Sequence, residues 1–181
     1  MKSKSKITLA VIALSLLFIA CGHKTVFKEV DINNQYTIMV PAYMQVTNEL
    51  LPGIASLQYE NDSAKLYLLV IDTARSGMRE GSLKAFYDSA VAQPALESAR
   101  ITPAKFKILG GDSAYTSEMT GAIAGQYSGP APDSMKMFYK IEVIGSADRF
   151  YQILIWSQQS RAGDLKDVMD KVLSSFHDIR K

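Results

Sequence analysis

The sequence has few of the side chains on which most protein chemistry depends. Its single cysteine, Cys21, excludes an intramolecular disulfide and a multi-cysteine metal site. Its two histidines, His23 and His177, are too few for the usual zinc sites. Because His23 lies just after Cys21 and His177 follows the last predicted helix, a solvated residue and a cation at a helix C-terminus are their simplest interpretations.

Sequence patterns of the common enzyme classes are also missing. The chain contains no G-x-S-x-G elbow, Walker loop, H-E-x-x-H or EF-hand pattern. The acids of Glu60-Asn61-Asp62 are typical of a turn, and those at Asp164, Asp167 and Asp170 of a helix start and a solvated helix face. We therefore predict no catalytic residue, no metal site and no cofactor.

The first 20 residues have the layout of a secretory signal peptide. Lys2, Lys4 and Lys6 precede an apolar stretch from Ile7 to Ala20 that is too short to cross a membrane. Ala20-Cys21 resembles the lipobox of bacterial lipoproteins, although Phe18 departs from the usual leucine. The resemblance implies that Cys21 carries a lipid anchor that contains palmitate.

The mature chain is close to neutral. Three lysines and no acid fall in residues 1–20, which leaves 17 Lys+Arg against 18 Asp+Glu. Lys105 and Lys107 form only a local pair, typical of a solvated strand face, so we expect no nucleic-acid binding. By resemblance to lipoprotein sorting, Gly22 after Cys21 favours the outer membrane, facing the periplasm.

Hydrophobic periodicity predicts strands and two helices. A two-residue period marks Tyr36–Val40 and the 150–156 return strand of a hairpin that begins near Met137. A helical period marks the stretch after Ser82 and the stretch from Leu165 to Phe176. Further strands are predicted at 55–59, 66–71, 106–108 and 115–119, with a turn at Gly110-Gly111. This order predicts an α+β fold with an antiparallel sheet covered by helices.

Several short segments resemble the PsbP-like fold, an α/β/α sandwich. They are a first strand ending at Pro41, the turn Gly110–Ala114, the tyrosine-bearing strand Phe150–Ile153 and the closing Ser175-Phe176. The resemblance implies an uncharacterised lipoprotein family whose known relatives are adaptors and assembly factors more than enzymes. We accordingly predict a signal peptide at 1–20, a lipidated tether at 21–34 and a single domain at 35–181.

An Asp-Ser/Thr pair followed by alanine or methionine occurs five times. This pattern resembles the acceptor motif for periplasmic O-glycosylation, although Asp-Ser also marks turns and caps. The candidate acceptor hydroxyls belong to Ser63, Thr73, Ser89, Ser113 and Ser134.

The segment Gly121–Ser134 has the composition of a long loop, with Tyr127 between glycines as a candidate contact for a partner. We therefore expect a non-enzymatic envelope lipoprotein that binds an unknown envelope protein or assists assembly. A carrier of a small apolar ligand or lipid is the alternative, since eight methionines and nine tyrosines suit an adaptable apolar lining. A hydrolase with paired carboxylates comes third, although the sequence selects no pair.

Overall fold

The computed structural model describes residues 24–77, 82–94, 96–123 and 131–180. The predicted signal peptide, Cys21 and Tyr127 lie outside these ranges. Within them the chain forms two α-helices, α1 (Leu83–Ala92) and α2 (Ala162–Ser174). Neither helix is long and apolar enough to span a membrane, and no other helix in the described ranges is.

Eleven strands and three short 3-10 helices make up the rest of the regular structure in the described ranges. In chain order they are β1 (Phe27–Ile32), β2 (Tyr36–Pro41), β3 (Gln45–Val46), β4 (Leu57–Asn61), β5 (Leu66–Ala74), β6 (Leu96–Ile101), β7 (Lys105–Leu109), β8 (Asp112–Ile123), β9 (Lys136–Gly145), β10 (Arg149–Gln158) and β11 (His177–Asp178).

The strands form one large and one small sheet. The large sheet has the order β3-β4-β5-β10-β9-β8-β6, and β7 pairs with β8 beside β6. The small sheet has the order β1-β2-β11. All pairings are antiparallel. The predicted antiparallel sheet with helices is therefore confirmed.

Each helix packs on the large sheet through its apolar stripe. The N-cap of α1 is Ser82, whose Oγ accepts a hydrogen bond from the backbone N–H of Ala85 at 3.1 Å. From α1, Tyr87 and Ala90 are buried against Ile141 and Val143 of β9 in one apolar cluster. A second cluster joins α2, β2 and the other side of the sheet, and its α2 members are Leu165, Met169, Val172 and Leu173.

Two tight features shape the strand β8. Gly110 and Gly111 join β7 to β8 with φ of +58° and +96°, the left-handed conformations that a two-residue hairpin turn requires. Further along, a Cβ at Gly121 would lie 2.9 Å from Leu96 Cβ, beside the irregular β6–β8 pairing between Glu97 and Arg100. A glycine is needed there because β6 approaches so closely.

Four strands are absent from the sequence prediction: β1, β3, β6 and β11. The strand β6 has no apolar alternation and is largely exposed, while β3 and β11 contain only two residues each. The strand β1 lies within the stretch 21–34 that was predicted as a tether, and it pairs with β2 along its whole length. Residues 27–32 are therefore part of the folded structure.

Candidate functional site

The most distinctive polar feature is a cleft of about 450 Å³ between α2 and the strands β7, β8 and β9. We call it the charged cleft. The polar and charged residues that line it come from four elements and the loop before β7. They are Thr102, Lys105, Lys107, Thr116, Ser117, Glu118, Lys140, Glu142, Lys166, Asp170, Lys171 and Ser174.

The pleat of the sheet brings the charged side chains of the cleft to one face. On β9, Lys140 is paired with Glu118 of β8, and Glu142 with Thr116. Thr116 is paired in turn with Lys105 of β7. Because side chains opposite one another in a ladder lie on the same face, these residues all point toward α2.

The centre of the cleft is an ion-pair network around a buried lysine. The Lys140 side chain is 5% exposed, and its Nζ lies 3.2 Å from Glu118 Oε1 and also contacts Asp170 Oδ1. Lys166 Nζ lies 2.9 Å from the same Glu118 oxygen and 3.3 Å from Asp170 Oδ2. Two lysines thus share two acids across the gap between helix and sheet.

The lysines keep both acids ionised. The hydrogen bond from Lys166, with help from Lys140, lowers the pKa of Glu118. For Asp170 the largest single effect is burial, which acts to raise the pKa, but hydrogen bonds and charge from Lys140 and Lys166 together lower it. Neither acid is therefore protonated at neutral pH.

Glu142 differs from these two acids. Its side chain is 0% exposed, and burial raises its pKa in spite of the opposing effect of Lys107. Lys107 Nζ lies at ion-pair distance from Glu142 Oε2, 2.7 Å, but neither carboxylate oxygen has a partner with hydrogen-bond geometry among the described residues. An ionised carboxylate has about four acceptor positions, so this one is poorly satisfied.

Lysines are in excess at the mouth of the charged cleft. Five lysines and three acids line it. Lys105 and Lys171 are exposed, and no carboxylate of the described residues lies within ion-pair distance of either. The cleft can therefore bind an acidic group at its mouth, whereas the fully buried Glu142 is not accessible to a ligand.

The sequence alone does not reveal this cleft. A solvated strand face is predicted for Lys105 and Lys107. This is correct for the exposed Lys105 and wrong for Lys107, which covers the buried Glu142. Asp170 is exposed, as predicted for a solvated helix face, but it also pairs with the buried Lys140. The available signal was the placing of Lys140 and Glu142 inside an otherwise apolar strand.

The candidate glycosylation sites lie apart from the cleft. The side chains of Ser63, Ser89 and Ser134 are exposed, in the β4–β5 turn, α1 and a short 3-10 helix. Thr73 in β5 and Ser113 in β8 are half-buried. The three exposed hydroxyls are thus the better placed acceptors.

Two other residues that the sequence singles out can be located. His177 lies in β11, where its Nδ1 is 3.2 Å from the position of a Cβ on Gly110. Trp156 is half-buried and stacks between Tyr67 and Tyr139, at centroid distances of 5.5 Å and 5.7 Å. Among the described residues no three His, Cys, Asp or Glu side chains come together as a metal site.

Comparison with known proteins shows the fold but not a family. No protein-family model matches the sequence, and no curated protein does. The chain is similar in structure to cyanobacterial PsbP (CyanoP) from Synechocystis sp. PCC 6803, with a TM-score of 0.59 and 16% identity over 88% of this chain and 97% of that one.

Two further solved structures share the fold. The Ran-binding protein Mog1p of Saccharomyces cerevisiae has a TM-score of 0.57 and 12% identity, over 86% of this chain and 97% of that one. LpqN of Mycobacterium tuberculosis, a protein involved in cell envelope biogenesis, has a TM-score of 0.55 and 12% identity, over 88% of this chain and 93% of that one. The resemblance to the PsbP-like fold predicted from the sequence is therefore confirmed at the level of the fold.

Proposed function

We propose that this protein is a lipid-anchored binding module of the cell envelope, in which the charged cleft receives an acidic group of a partner protein. The excess of lysines at the mouth of the cleft carries the proposal. Lys105 and Lys171 are cations without an acidic partner among the described residues, beside a network that already neutralises the other charges. Electrostatic complementarity of this kind steers and orients protein association.

Binding fits the cleft better than the two alternatives. A carrier of an apolar ligand needs a mostly apolar lining, whereas most of the residues around this cleft are charged or polar. Carboxylate hydrolysis needs an acid and a base with separated pKa values. Among the three acids of the cleft, Glu142 has a raised pKa and the other two have lowered ones. Glu142 is fully buried, however, and lysines engage the other two, so no such pair faces a substrate.

The anchor would hold the cleft near the membrane. Lys24, Thr25 and Phe27 line a shallow groove together with Lys171, which also lines the charged cleft. Five residues lie between Cys21 and Phe27, and an extended chain over these six steps spans at most about 20 Å. An anchor on Cys21 therefore favours an envelope partner that is itself at the membrane surface.

Crosslinking in cells tests the proposed function. The full chain is produced in a bacterial host with a photo-crosslinking residue at the cleft mouth, as wild type, Lys171→Glu and Lys65→Glu. Lys65 is the matched control because it lies in the turn between β4 and β5, toward the edge of the large sheet that is opposite β7 and β8. We expect one defined partner band that Lys171→Glu abolishes and Lys65→Glu leaves. A band equal in all three, or crosslinks to anionic lipid alone, would refute a protein partner at the cleft.

The anchor has its own test. Metabolic labelling with palmitate should mark the wild-type chain and leave Cys21→Ser unlabelled and released from the membrane fraction. Intact mass of the same samples from the native host would reveal any sugar on Ser63, Ser89 or Ser134. A labelled Cys21→Ser protein would show that the lipid is elsewhere.

A further inference from the structure

The strand β7 has an open edge. Among the described residues it pairs only with β8, which leaves its other side without a strand. Its hairpin has a two-residue turn that pairs Leu109 with Asp112. In such a hairpin this pair exchanges both hydrogen bonds and every second pair does so after it. The backbone N–H and C=O groups of Phe106 and Ile108 therefore point outward.

The two faces of β7 have opposite chemistry. Lys105 and Lys107 point to the charged cleft. Phe106 and Ile108 alternate with them on the other face, where they are 57% and 60% exposed. Apolar side chains exposed to this extent on an edge strand lack a covering element in the described structure. The neighbouring Ile101 is also exposed, at 47%, and extends the apolar area.

We propose that β7 accepts an extended segment of the partner protein as an additional strand, one in which acidic and apolar side chains alternate. The acids of the segment would lie beside Lys105 and Lys107, and its apolar side chains beside Phe106 and Ile108. Strand addition of this type draws affinity from backbone hydrogen bonds and specificity from alternate side chains. This inference rests on the proposed function and names the form in which the acidic group arrives.

Charge selects this partner over a second copy of the chain. Antiparallel pairing of β7 with itself about Lys107 would place lysine directly opposite lysine, which is unfavourable. Lysines on an edge strand also discourage pairing with purely apolar strands. The open edge of β7 therefore favours pairing with an acidic segment.

Binding of a synthetic peptide tests the inference. The probe is a ten-residue peptide that alternates glutamate and valine, with capped ends. Its controls are a peptide of the same composition in two blocks and one that alternates lysine and valine. We expect the first peptide alone to bind, and to slow hydrogen exchange at the amides of Phe106 and Ile108. Equal binding of the block peptide, protection elsewhere, or no binding at millimolar concentration would overturn the proposal.

Matched variants locate the contact. Ile108→Pro removes one outward N–H and leaves the hydrogen bonds to β8 intact, because proline is tolerated on an edge strand. We expect the Kd of the peptide to rise about tenfold. Ile108→Ala keeps the N–H and should raise it only about threefold. Lys105→Glu should raise it about tenfold, and Lys65→Glu leave it unchanged. Circular dichroism and the amide spectrum confirm that each variant is folded.

The crosslinking strains separate this inference from the proposed function. If Lys171→Glu abolishes capture of the partner and Ile108→Pro does not, the cleft binds the partner and strand addition is wrong. If Ile108→Pro abolishes capture and Lys171→Glu does not, strand addition stands and the charged cleft is not the site of the proposed function. If neither variant affects capture, both are wrong. Loss of capture in both supports the two together.

Discussion

The two sides of β9 are equally buried and chemically unlike. Toward α1 the strand presents only apolar side chains, those of Met137, Tyr139, Ile141 and Val143, all buried. Toward α2 it presents Lys140 at 4% exposure and Glu142 at 0% between two apolar residues. Burial alone therefore does not distinguish the core of this protein from its candidate site, whereas the charge of the buried residues does.

The apolar face of β9 toward α1 favours stability, whereas the buried charges on its face toward α2 do not. Desolvation of buried ions costs free energy that apolar packing would not, and replacing such groups by well-packed apolar residues is often neutral or stabilising. The ions of the charged cleft thus contribute less to stability than residues of that size could. We infer that they serve binding.

The largest effect is expected from a cavity on the α1 side. Ile141 is 0% exposed, so Ile141→Ala removes packed methyl groups and should lower the free energy of unfolding by about 3 kcal/mol. Urea unfolding measures this change. Ile108→Ala is the control, because an exposed side chain should change stability by less than about 0.5 kcal/mol. Equal losses in the two variants would contradict the described core.

A smaller effect is expected from the central lysine of the α2 side. Lys140→Met keeps the aliphatic stem but removes the charge between Glu118 and Asp170, and should cost about 1–2 kcal/mol because both acids keep Lys166. Lys84→Met, at an exposed pair with Asp88 on α1, should leave the urea midpoint unchanged. A more stable Lys140→Met protein would show that the network is a net cost.

The smallest effect is a pH dependence from Glu142. Because its pKa is raised above the ordinary 4.5, the folded state binds its proton more tightly than the unfolded state does. The free energy of unfolding should therefore fall as pH rises from about 4.5 through the raised pKa, and Glu142→Gln should remove that slope. Urea unfolding at pH 5, 6 and 7 compares the two proteins. Parallel curves would mean that Glu142 does not titrate in this range.

The opposite sign is expected at lower pH. The pKa of Glu118 and of Asp170 is lowered in the folded state, so their contribution to stability is present above their ordinary pKa. It should be lost as pH falls below about 4. Glu118→Gln should flatten this acid limb and leave the slope above pH 5 intact, which separates the two kinds of acid in one titration.

The elements with strong periodicity could be predicted from the sequence, and the site could not. The stripe of α2 and the β9–β10 hairpin have enough apolar residues at regular spacing to be recognised locally. Lys140 and Glu142 follow the same alternation as solvent-facing residues of a half-covered sheet. They are buried only because α2, which begins 20 residues after Glu142, packs across them. Their place inside an otherwise apolar strand is a local signal, but no local pattern identifies the helix that covers them.

The same limit applies to the small sheet. The strand β11 has two residues, and it is a strand only because β2 lies beside it. Within this strand, Asp178 accepts a hydrogen bond from the buried Tyr151 at 3.0 Å, and Arg180 donates to the same carboxylate oxygen at 3.1 Å. Pairing between segments so far apart in sequence leaves no trace in either segment.

That pairing also sets an order of assembly. Thr37 of β2 is paired with His177, so the small sheet joins two stretches of the chain that are far apart in the sequence. Closing so long a loop is entropically costly and makes such contacts slow to form. During synthesis, the hairpins β1–β2, β4–β5, β7–β8 and β9–β10 can form as they emerge, whereas the pairing of β2 with β11 must wait for His177 and Asp178. The β2–β11 pairing is then among the last contacts of the fold to form.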